Sequence, residues 1–102
     1  MKIQERDGTI IDIFAIYWGD DGKTLFLGLD GKDETLHAYK LEEVSIIEEK
    51  INFKSIYFAN SLKGIYHWAL IEKELLDDLL EYTPEAYQQF LEIVRSEGVI
   101  DW

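Results

Sequence analysis

His37 and His67 are the only imidazoles in the chain, and no other side chain has an ordinary pKa suited to proton transfer near neutrality. Each falls in a segment that reads as a β-strand, with no nucleophile beside it. Either could form a dyad with Asp12 or a Glu brought close by folding, but 21 acidic residues generate many accidental pairs, so carboxylate spacing singles out no acid–base couple. Gly22-Lys23-Thr24 resembles the end of a phosphate-binding loop. The pattern fails because Tyr17 stands where Gly is required, a strand rather than a helix follows, and Asp20 and Asp21 repel phosphate. A calcium loop starting at Asp30 fails as well, with Lys32 at a ligand position, Thr35 in place of the turn Gly and Leu41 in place of the bidentate Glu. Cysteine is absent, which removes disulfides, thiolate zinc sites and thiol nucleophiles together. The sequence therefore predicts no catalytic residue, no metal ligand and no cofactor.

Those residues belong to a chain of 102, the ordinary size of one domain, and residues 1–102 read as a single unit. With 47% hydrophobic residues and a single Pro, it can bury enough apolar area to offset its conformational entropy and fold alone. The N-terminal residues reach charges and a turn too soon for an export signal, and no stretch approaches a membrane span, which with the missing cysteine predicts a cytoplasmic protein. A net charge of -11 repels phosphate backbones and anionic lipid surfaces, so neither nucleic acid nor membrane is a predicted partner. The same field attracts a cationic protein and speeds its encounter.

The predicted fold class is α+β: a meander-like antiparallel sheet of five or six strands over about residues 9–70, followed by two amphipathic helices over 71–82 and 84–97. Residues 9–18 read as a central strand covered on both faces, with Ile11, Ile13, Ala15 and Tyr17 on one side and Ile10, Phe14, Ile16 and Trp18 on the other. Asp12 interrupts the second face and requires a rim position or a partner. Further strands are predicted at 23–29, 35–40, 44–47, 54–59 and 65–70, separated by Gly and Asp turns. Leu75, Leu76, Leu79 and Leu80 then recur at helical spacing. Thr83 with Pro84 and Glu85 opens the second helix, whose apolar stripe is Tyr87, Phe90, Leu91 and Val94 and whose stop is Gly98. The apolar tail at 99–102 is predicted to pack back onto the domain.

Acidity is concentrated at the C-terminal end, where residues 72–102 carry nine acids against Lys73 and Arg95. On a continuous helix over 71–82, Glu74, Asp77, Asp78 and Glu81 form one exposed stripe. Glu74 with Asp78 and Asp77 with Glu81 are then like-charge pairs, relieved only by Lys73 beside Asp77. A helix needing only solubility is better served by alternating signs, so the stripe is a candidate surface for something cationic. Tyr57, Tyr66, Trp68 and Tyr82 lead into and close this region, and Tyr and Trp are favoured interface anchors. The predicted partner-binding residues are Glu74, Asp77, Asp78, Glu81, Tyr66, Trp68 and Tyr82.

With that stripe, no cysteine and a length near a hundred residues, the chain resembles the small acidic immunity proteins of bacterial contact-dependent and polymorphic toxin systems. The resemblance implies a non-enzymatic cytosolic inhibitor that binds a basic toxin domain, often a nuclease, and occludes its active site by placing carboxylates where substrate phosphates bind. Two alternatives from other classes stand beside it. One is a small hydrolase using His37 or His67 with a carboxylate. The other is a regulatory or chaperone-like adaptor that meets its partner through an aromatic strand edge.

Overall fold

The computed structural model describes residues 1–59 and 63–102. Among these the chain forms seven strands: β1 (Lys2–Gln4), β2 (Ile10–Trp18), β3 (Thr24–Leu29), β4 (His37–Lys40), β5 (Ser45–Glu48), β6 (Ser55–Ala59) and β7 (Lys63–His67). Three helices follow, α1 (Trp68–Glu72), α2 (Leu76–Leu80) and α3 (Pro84–Ser96). The class is the predicted α+β, an antiparallel sheet with the helices C-terminal to it. The strand absent from the sequence reading is β1, whose three residues are too short to show alternation but pair Ile3 with Ile11 of β2.

β2 is the hub. It pairs with β3 along one edge, while its other edge is divided between β1, at Ile10 to Asp12, and β7, at Ala15 to Trp18. The meander therefore holds from β1 to β4 and in the β6–β7 hairpin, but β5 returns to β1 and β7 returns to β2. Gly28 on β3 and Gly64 on β7 make this double flanking possible, because a Cβ on either would come within 2.6 Å of a β2 backbone oxygen. The β4–β5 connection spans residues 41–44 and includes a 3-10 turn (Leu41–Glu43). In a flat sheet of order β4-β3-β2-β1-β5 those two strands would lie about 19 Å apart. A connection wound at about 2 Å per residue cannot span that distance, so the sheet curls and brings its ends together.

Curling gives each face its own core. Phe14, Leu29, Leu70, Leu79, Phe90 and Val94 fill the helix side, while Met1, Ile3, Ile11, Ile13 and Phe26 fill the other, with Tyr39 and Val44 from the two sheet ends packed against them. The face assignment in β2 differs from the alternation predicted. A bulge in the β2–β3 ladder between Ile13 and Ala15 adds one residue, so Phe14 joins Ala15 and Tyr17 on the helix side and Ile16 joins Ile11 and Ile13 opposite. Asp12 is buried and has partners, a hydrogen bond at 2.9 Å from the Trp102 indole and Lys2 at 4.0 Å.

The helical region departs most from expectation. Residues 68–70 open α1 instead of ending a strand, because the His67 side chain caps the new helix by accepting the Ala69 N–H. The helix predicted over 71–82 is interrupted at Lys73, Glu74 and Leu75, where Glu74 takes a positive φ of 53°. Leu75 and Leu79 still reach the core, but the break leaves Leu80 exposed. α3 begins at Pro84 after Thr83, as predicted, although the Thr83 side chain makes no capping bond. Its stripe of Tyr87, Phe90, Leu91 and Val94 is buried, and Val99 and Ile100 fold back into the core.

Candidate partner-binding surface

All three helices close with a residue in the left-handed region. At α3 it is Gly98 (φ 71°), with the Gly98 N–H on the Arg95 carbonyl and the Val99 N–H on Val94. The same pair of bonds closes α2, where Tyr82 (φ 62°) donates to Leu79 and Thr83 to Asp78. At α1 the position is taken by Glu74, which donates to Ile71. A side chain in this conformation costs about 1–2 kcal/mol that glycine avoids. Both non-glycine exceptions, Glu74 and Tyr82, are exposed.

The break at Glu74 reshapes the acidic stripe. Glu74 and Asp77 line an open groove of about 290 Å³ whose apolar part is Phe58 of β6, Ile71 of α1 and Leu76 of α2. Asp78 and Glu81 are exposed outside it. Asp77 and Asp78 occupy the first turn of α2, where the helix dipole favours negative charge, and Glu74 is not helical, so the like-charge strain expected of a continuous helix is largely relieved. The predicted Lys73–Asp77 relief is absent. Among the described residues none of the four carboxylates has a cation within 4.0 Å. α2 is held in place by the buried Thr35 hydroxyl, which donates to the Leu79 carbonyl.

Of the aromatics, Tyr82 is 63% exposed and available. Tyr66 is a core residue at 4%, set edge-on to Phe58, and burial pushes its phenol pKa up. Trp68 is half-buried, its indole N–H committed to Glu97 at 2.7 Å. Tyr66 therefore backs Phe58 from within the core, while the Trp68 indole is held by Glu97. Phe58 and Tyr57, the latter 61% exposed, stand at the surface in their place. Phe58 carried no sequence signal, since only the pairing of β6 with β7 brings it beside α1 and α2.

The two histidines do meet carboxylates. His67 Nδ1 accepts from Ala69, so Nε2 carries the proton and donates to Glu97 Oε1 at 2.7 Å. With its ring buried and both nitrogens engaged, His67 presents no atom to a substrate. His37 lies at the rim of a separate cleft between β4 and the end of β1, with Asp33 at 3.1 Å and Asp30 at 3.8 Å. Asp30 Oδ1 accepts the N–H groups of Lys32 and Asp33 in the tight turn. Burial raises the Asp30 pKa, but those two bonds and the nearby His37 outweigh it and hold the carboxyl below its ordinary range. Burial and the carboxylates of Asp30, Glu5 and Asp33 raise the Tyr39 phenol far above its ordinary value. One nitrogen and two carboxylate oxygens within 4.8 Å are a donor set suited to a divalent cation, and the His37–Asp33 hydrogen bond accounts for the arrangement without one.

No protein-family model, curated protein or solved structure matches this chain. Among the described residues no helix is long and apolar enough to cross a membrane.

Proposed function

We propose that this chain is an inhibitory binding protein of the bacterial cytoplasm that docks its acidic α1–α2 end on a basic, nuclease-like toxin domain and occludes the active site. The observation that carries the reading is the groove of Phe58, Ile71 and Leu76 flanked by Glu74 and Asp77, two carboxylates with no cation of their own among the described residues. An apolar floor beside paired carboxylates suits the aliphatic stem and charged head of Arg or Lys, the side chains with which a nuclease holds phosphates. Long-range charge accelerates the encounter, and desolvated contacts around Phe58 and Tyr82 slow dissociation.

The test first asks whether a gene adjacent to this chain's own encodes a basic domain that binds it. Replacing Glu74→Gln, Asp77→Asn, Asp78→Asn and Glu81→Gln together is expected to weaken binding to that domain, and inhibition of its activity, more than about tenfold at low salt while the variant still unfolds in one cooperative transition. Affinity that stays the same rejects the acidic end as the site.

A further inference from the structure

Three strands lie at sheet edges, β4, β5 and β6, each hydrogen-bonded to a single neighbour among the described residues. Exposed edges are templates for unwanted pairing, and proteins ordinarily blunt them with charge. β4 carries Lys40 and β5 carries Glu48. β6, Ser-Ile-Tyr-Phe-Ala, carries no charge, and its Tyr57 and Phe58 are exposed on alternate sides. Its helix-side residue Phe58 also lines the groove with Glu74 and Asp77.

We infer that β6 is a strand-addition site: the cationic partner contributes an extended segment that pairs with the outer edge of β6 and sets a basic side chain over the Phe58 groove, against Glu74 and Asp77. This rests on the proposed function and adds the conformation in which the partner binds. A strand laid beside β6 alternates its side chains across the sheet, so every second residue falls on the Phe58 side. Backbone bonds supply affinity for any extended chain, and the two carboxylates select a basic one. A second copy is a poor occupant, because it brings the same uncompensated carboxylates and a charge of -11 to the same edge.

The probe is an eight-residue peptide of alternating Val and Arg, which places all guanidinium groups on one side of a strand. Its comparators are the Val and Glu counterpart and a Val-Arg peptide N-methylated at every backbone nitrogen, which keeps the charge but leaves no N–H on either edge to complete a ladder. Expected are binding of the Val-Arg peptide, slowing of amide exchange at residues 55–59 by about tenfold or more, and loss of both with the N-methylated and Glu peptides. If the N-methylated peptide binds equally well, strand addition is overturned while the acidic-surface reading survives. Equal binding of the Glu peptide overturns the charge selection. If no peptide protects residues 55–59, or if sedimentation shows a dimer that Tyr57→Lys dissociates, the edge does not serve a cationic partner and the inference fails. The carboxylate variants measured on the neighbouring basic domain then judge the proposed function separately.

Discussion

His67 does three jobs with one ring: it ends β7, caps α1 through Nδ1 and ties both to the end of α3 through the bond from Nε2 to Glu97. Protonation would place a second hydrogen on Nδ1, facing the Ala69 N–H, and would charge a ring that solvent cannot reach. Burial accordingly lowers its pKa below the ordinary 6.5, although the hydrogen bond and charge of Glu97 pull the other way. The sign for stability follows. As pH falls through 6.5 the unfolded chain takes up a proton that the folded chain still refuses, so the contribution is complete above 6.5 and is lost between 6.5 and the lower folded value. Urea unfolding of the wild type should therefore lose stability over that window faster than His67→Gln, by at most about 1.4 kcal/mol per pH unit, the limit for one proton. Parallel curves would show that the ring titrates normally in the fold. The sequence marked His67 as a residue capable of chemistry, yet it gave no access to Glu97, 30 residues away, and it is Glu97 that makes the role structural.

Helix ends are where sequence and structure part. The apolar period over 71–82 was legible, and so were the start and stripe of α3, because Thr83, Pro84 and Gly98 are standard boundary residues. The start of α1 and the break before α2 were not, because His is an unusual cap and neither Glu nor Tyr signals a left-handed closure. Central β2 was legible as a doubly covered strand, but its bulge was not, since an inserted residue leaves no compositional mark. The three closures offer an internal comparison. A Cβ on Gly98 meets nothing within 4 Å, so Gly98→Ala should cost about 1 kcal/mol from the backbone alone. Glu74→Gly and Tyr82→Gly should each stabilise by about 0.5–1 kcal/mol, the left-handed cost less the entropy of glycine. Thermal unfolding checks all three. If Glu74 and Tyr82 are kept for a partner, the glycine variants gain stability and lose affinity together, a pairing of signs that a purely structural role does not produce.

For the molecule as a whole, nine of 21 acids lie in residues 72–102, and much of the remainder lines the His37 cleft or the turns. A polarised field acts mainly on encounter, so association with the proposed basic partner should slow at least tenfold between about 10 and 150 mM salt, as the screening length falls from about 30 to 8 Å. The dissociation rate should change much less. Stopped-flow mixing at the two salts measures both, and a salt effect confined to dissociation would remove the steering role. A different consequence comes from the fork at β2. Its pairings with β1 and β3 are local hairpins, whereas that with β7 joins Ala15 to Tyr66 across about 50 residues. Loops of that length close late, and on a chain emerging from the ribosome residues 63–67 arrive after the β1–β4 meander can already form. The strand that unites the fold is thus the one whose second edge stays open longest during synthesis, which makes the arrival of β7 the step at which a nascent chain is most exposed to pairing with the wrong neighbour.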